Sequence, residues 1–199
     1  MKKTFGTILL SAALALTFTA CKDDAKPSTD ASTAEQGDFR CRIDSQLAPE
    51  WACGNAGLEG AVTAVGSAPL SKLGYGFSTR EAMANGRSNL AQQIQTLVKD
   101  KVETFSRSTG VGGDEVADKV STQVSKQVAK VTLNGSKQKK SWQNPANGDV
   151  YILVGVSENT LNKEVKEQVK SSYKNDNALW QQFQSKQALE SLEKEFPSD

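Results

Sequence analysis

The chain has 199 residues, carries 24 Lys plus Arg against 23 Asp plus Glu, and contains no histidine. A formal charge of +1 offers no basic excess for nucleic acid. The missing imidazole removes Ser-His and Cys-His nucleophile pairs and histidine-based metal sites.

The first segment reads as a cleaved leader. Lys2 and Lys3 form a positive start, Phe5 to Phe18 is an apolar run diluted by Gly, Ser and Thr, and Phe18-Thr19-Ala20-Cys21 closes it. Small residues directly before a cysteine suit a signal peptidase that cleaves at the thiol, and the run is short for a permanent membrane helix. Residues 1–20 are therefore expected to be a lipoprotein signal peptide, with Cys21 lipidated. The rival reading is an ordinary secretory signal followed by a chance cysteine. Acyl chains contribute about 0.8 kcal/mol per buried methylene, so several chains (a palmitate among them) on one cysteine hold a soluble domain on a membrane. Lys22 stands where an Asp would favour retention at the inner membrane, so the expected place is the outer membrane, facing the periplasm or the exterior.

Residues 21–37 are polar, rich in Asp, Ser, Thr and Ala, and read as a flexible tether. Residues 38–57 carry the other two cysteines, Cys41 and Cys53. Two thiols without histidine make a poor zinc site, and in an oxidising compartment they read as a disulfide. The short loop they close is worth about 3 kcal/mol in the chain-entropy picture. The rival is a pair of free or redox-active thiols, but the spacing is not C-x-x-C. Pro49-Glu50-Trp51 suggests an ordered loop anchored by the indole.

Residues 58–199 are expected to fold. Leu58 to Ser67 is apolar, β-branched and bounded by Gly, hence a strand. Ser78-x-x-Glu81 resembles a capping box opening a long helix, in which Leu90, Ile94, Leu97, Val98, Val102 and Phe105 make one stripe. Thr109 to Gly113 breaks it, and Asp114 is placed to cap a second helix striped by Val116, Val120, Val124 and Val128. Val131 to Trp142 reads as a polar edge strand, Asn147-Gly148 as a hairpin turn, and Val150 to Val156 as a central strand. Leu161, Val165, Val169 and Tyr173 stripe one further helix. Leu179, Phe183, Leu189, Leu192 and Phe196 stripe the last, from Ala178 to Phe196. The order β-α-α-β-β-α-α predicts an α+β fold: a small, mostly antiparallel three-stranded sheet packed by helices.

The stretch from Trp51 to about Glu158 resembles the Lpp-twenty family of bacterial outer-membrane lipoproteins. The resemblance rests on Pro49-Glu50-Trp51, Ala64-Val65-Gly66, Ala84-Asn85-Gly86-Arg87-Ser88-Asn89-Leu90-Ala91, Trp142, Gly148 and Tyr151-Ile152-Leu153-Val154. It implies a membrane-associated lipoprotein antigen, with a flagellar-motor lipoprotein among the family's members, and it brings no catalytic residue set. The cysteine-bearing insert from Arg40 to Asn55 and the helix Ala178 to Phe196 depart from the resemblance.

Several motifs invite sharper readings. Gly110-x-Gly112-Gly113 lacks the Lys-Ser/Thr of a phosphate loop and is expected to be a hinge between helices. Lys137-x-Lys139-Lys140 beside Trp142 suggests acidic-ligand contact, but charge on an edge strand also blocks strand pairing. Arg80 and Arg87 with Glu81 read as surface charges. The tail helix either packs on its own domain or docks a partner. Ser125-Lys126 and Ser136-Lys137 are adjacent pairs that do not converge as a Ser-Lys site. The chain is thus expected to be no enzyme, with no catalytic, cofactor or metal residue. Its assigned positions are Cys21 for lipid and Cys41–Cys53 for a disulfide. The expected function is a structural or assembly component of the outer envelope acting through protein–protein contacts, with flagellar association and homo-oligomerisation in view. The alternative is a tethered periplasmic activator of a cell-wall enzyme.

Overall fold

A computed structural model describes residues 39–54 and 57–198. The leader, Cys21 and the tether through Gly37 lie outside the described residues.

Two strands of two residues, β1 (Arg42–Ile43) and β2 (Gln46–Leu47), form a minimal antiparallel hairpin, followed by a 3-10 turn over Glu50–Cys53. The main sheet holds β3 (Ala61–Ala68), β4 (Lys137–Gln143) and β5 (Val150–Ser157) in the order β3-β5-β4, all antiparallel. Between β3 and β4 lie α1 (Tyr75–Thr109) and α2 (Gly113–Asn134). After β5 come α3 (Glu158–Lys174), α4 (Asn177–Phe183) and α5 (Lys186–Glu195). The fold is α+β with a small three-stranded antiparallel sheet, as the sequence predicts, and the β1–β2 hairpin beside it.

The unbroken apolar run of β5 has a physical cause. Val150, Ile152, Val154 and Val156 face the helices and join the main core, while Leu153 faces the opposite side and is buried under Trp51 and Ala52. A strand covered on both faces cannot alternate with polar residues. The cysteine-bearing segment therefore acts as a lid on the second face of the sheet, with Ile43, Leu58, Val65, Trp142 and Tyr151 packed around it. The Cys41–Cys53 disulfide closes this lid.

α1 packs on β3, β5 and α2, and α3 packs on α2. Leu90, Ile94, Val98, Val102 and Phe105 are buried along α1, and Val120, Val124 and Val128 along α2. The helical period thus overrides the β-branching of α2, because the apolar side chains recur on a single face. Leu97 falls off the α1 stripe and remains exposed. At the elbow between the helices Gly112 has φ 78°, and a Cβ there would meet Val116 and Leu179 within 3 Å. The expected hinge is present, held on its outer side by Arg107 bridging Glu103, Asp114 and Asp118.

Boundaries differ from the sequence reading in five places, the first being β3, which begins at Ala61 and not at Leu58. α1 starts a turn before the expected capping box. Gly74, at φ 95°, caps it, and the Ser78 hydroxyl is buried and accepts the Ser71 amide at 2.8 Å instead of capping its own helix. Gly112 caps α2, leaving Asp114 in the first turn to pair with Arg107. Val131 to Asn134 belong to α2, so β4 is shorter than expected. The tail helix is two helices, broken at Gln184-Ser185, where the Ser185 hydroxyl accepts the Ala188 amide.

The tail packs on its own domain. Phe183 stacks on Tyr173 at 4.9 Å between ring centroids and meets Phe105 edge-on at 6.3 Å. Leu192 and Phe196 are buried, and Lys166 on α3 grips Glu193 on α5 at 2.7 Å.

Candidate functional site

Two of the stretches that carry the family resemblance, Ala64-Val65-Gly66 and Ala84 to Ala91, meet at the junction of β3 and α1. Gly66 and Gly86 let strand and helix touch through their backbones: a Cβ on Gly66 would stand 2.1 Å from the Ala82 carbonyl oxygen and the Gly86 nitrogen. That closeness places two α1 asparagines, one turn apart, against carbonyls two residues apart on the strand. Asn85 Nδ2 donates to Ser67 O at 2.9 Å, and Asn89 Nδ2 donates to Val65 O at 2.8 Å. β3 has a sheet partner on one side only. The asparagines therefore hold an edge strand that would otherwise recruit other chains.

Beside this junction an open cleft of about 470 Å³ runs along β3. Trp51 and Leu153 form one wall, Thr63 to Val65 the floor, and Asn89, Gln92 and Gln93 the other wall. None of the lining residues is ionisable. Carboxamides donate and accept at once, which matches the amide groups of a peptide better than the charge of a small ion. Sequence reasoning placed Trp51 as an anchor and Asn89 within a motif, but it did not single out Gln92 or Gln93. The available signal was a run of polar amides on the α1 face next to Asn89.

The other sequence candidates resolve into structural roles. Lys137, Lys139 and Lys140 lie exposed on the outer strand β4, whose register shifts between Gln138 and Lys140. A bulge with lysines is a common protection of a free edge. Trp142 pairs across the sheet with Tyr151, ring centroids 5.3 Å apart. Burial, helped by the carboxylates of Asp149 and Asp44, pushes the Tyr151 phenol up from its ordinary value. Arg87 donates to the Ser136 hydroxyl at 3.1 Å, and Arg80 sits 5.9 Å over the Phe77 ring. Asn147 and Gly148 lie in a wider connection than a two-residue turn. There Asp44 of the lid hairpin accepts from Asn144 at 2.8 Å and from Asn147 at 3.0 Å. Among the described residues no helix is long and apolar enough to cross a membrane. Among them too, no cluster of three or more His, Cys, Asp or Glu is placed to hold a metal.

The matched class is that of lipoproteins: the family model for the LPP20 lipoprotein matches residues 49–157, more than half of the chain. The protein belongs to the LPP20 lipoprotein family. The match starts at the Trp51 turn and ends with β5, so it takes in both walls of the cleft and leaves α3 to α5 outside. A search of curated proteins finds no match.

Proposed function

We propose that this protein is a lipoprotein of the outer envelope, anchored through lipid on Cys21, that works as a structural or assembly component through protein–protein contacts. The observation that carries this reading is the neutral, amide-lined cleft along the edge strand β3, built from the matched region of the family. An open groove of this kind suits an extended segment of a partner protein, with main-chain hydrogen bonds supplying affinity. Association with the flagellum is the specific form to be tested.

The test is co-sedimentation of the full-length, lipidated protein with purified outer membranes and flagellar basal bodies, alongside motility of a deletion strain. Travel with basal bodies and loss of motility support the flagellar form. Travel with outer membranes alone removes it and leaves the envelope role. A Gln93→Lys variant, which puts a charge into the neutral cleft, is expected to keep its fold and membrane fraction but to lose its partner. A protein that is monomeric and partner-free in mild detergent at every concentration would refute the assembly reading.

A further inference from the structure

Nine large apolar residues are exposed among the described residues, and four of them fall in one short stretch at one end of the sheet. These four lie within eight positions of the β3–α1 connection: Leu70, Leu73, Tyr75 and Phe77, with Leu73 75% exposed. Phe39, 93% exposed, and Leu47 lie apart from these, on the cysteine-bearing segment.

The placement follows from the register. The last residue of β3, Ala68, and the last of β4, Gln143, both pair with Val150, the first of β5. The β3–α1 connection and the β4–β5 turn therefore leave the sheet together, and Leu70 lies against Gly148 of that turn. The same turn holds Asp44 through Asn144 and Asn147. Phe39 and Leu47 stand at the base of that hairpin, beside Cys41 and Ala48, away from Asp44 at its tip.

The exposed loop is held, not slack. The Ser78 hydroxyl receives the Ser71 amide, the Ser71 hydroxyl receives the Leu73 amide at 3.1 Å, and the Ser71 carbonyl receives the Gly74 amide at 2.9 Å. Backbone order with apolar side chains turned to solvent marks a contact surface.

We infer that this end of the domain rests on the lipid bilayer, with Leu73, Tyr75 and Phe77 in its interfacial layer. The inference rests on the lipid at Cys21. From Cys21 to Phe39 is eighteen residues, about 60 Å when fully extended, which lets a lipid on Cys21 bring this surface to the membrane. Lys72 within the loop and Arg80 beside Phe77 suit anionic headgroups, and an apolar edge with basic flanks is the usual make-up of an interfacial contact. The amide cleft then stays open to partners in the aqueous space. Two signals, lipid and loop, hold the domain in one orientation where lipid alone would let it turn.

The experiment uses the full lipidated protein in phosphatidylethanolamine–phosphatidylglycerol vesicles whose acyl chains carry bromine, a contact quencher of tryptophan. Two variants are compared with the unsubstituted protein: Leu73→Trp in the loop, and Val131→Trp, exposed near the start of β4 at the opposite end of the sheet. The expected result is an added emission at Leu73→Trp quenched at least about twice as strongly as that at Val131→Trp, consistent with insertion of roughly 5–10 Å. Equal quenching in protein that floats with the vesicles overturns this inference and leaves the anchor intact. Protein that fails to float overturns both. Emission at Leu73→Trp that shifts with protein concentration and not with bromination assigns the surface to a second copy of the chain, and also overturns it.

Discussion

The contact between Gly66 and Gly86 can be tested by a single methyl group. In Gly66→Ala the new carbon would meet the Ala82 oxygen and the Gly86 nitrogen at 2.1 Å, against an ordinary contact of 3.4 Å or more. Both neighbours are backbone, so α1 must lift from β3 by about 1.3 Å. A gap of that size forfeits a good part of the dispersion attraction along the interface, and overpacked sites cost about 1–3 kcal/mol. The same shift stretches the Asn85 and Asn89 hydrogen bonds from 2.9 and 2.8 Å beyond useful range. Each bond contributes about 1 kcal/mol. The expected total is about 3–5 kcal/mol, a large share of the roughly 5–15 kcal/mol that a domain possesses. Gly86→Ala is the internal control. Its methyl would meet Val154 Cγ2 at 2.7 Å and the Gly66 nitrogen at 3.2 Å, a milder backbone conflict than the one at Gly66, and the helix gains about 1 kcal/mol from replacing glycine. Urea unfolding followed by circular dichroism and tryptophan emission measures both. Gly66→Ala should lower the midpoint strongly with an unchanged slope, and Gly86→Ala by less. A loss below about 1 kcal/mol for Gly66→Ala, or the reverse ranking, would refute the close-approach argument.

Three further outcomes follow from other parts of the structure. Cys41→Ser opens a loop of twelve-residue separation and should cost about 3 kcal/mol, with Trp51 emission shifting as the lid loosens; unchanged unfolding would show that the bond does not hold the lid. Asn89→Ala removes the donor to the Val65 carbonyl and should cost about 1 kcal/mol while raising the tendency to pair through β3, read by light scattering against concentration. The hydrogen bond from Lys166 outweighs the opposing effect of burial and, with the charges of Lys166 and Lys170 added, holds the Glu193 carboxyl below its usual range. A carboxyl lowered in the folded state stabilises above its unfolded value, about pH 4.3, and loses that contribution as the pH falls through the folded one. Glu193→Gln should therefore narrow the difference in melting temperature between about pH 6 and pH 3, and an unaltered difference would count against the Lys166 link.

Much of this protein was legible in its sequence because periodicity is a local property. The stripe from Leu90 to Phe105, the valines of α2 and the run of β5 report their own burial, and together they define an α+β chain with β5 in the centre. Composition likewise showed that histidine chemistry is absent. The order of short motifs from Trp51 to Val154 pointed to the family that the comparison shows. Helix ends were less legible, since the Ser78 hydroxyl serves a loop seven residues earlier and the tail breaks where Ser185 offers a second cap.

What only the tertiary structure decided is how distant segments meet. That Trp51 covers Leu153, that Asn85 and Asn89 hold the carbonyls of an edge strand, and that Gly66 and Gly86 share a backbone contact all depend on pairs far apart along the chain. The exposed apolar end was invisible for the same reason. Leu70, Leu73, Tyr75 and Phe77 look like core residues in a sequence window, and only the fold shows that its core is already filled and that these side chains remain outside.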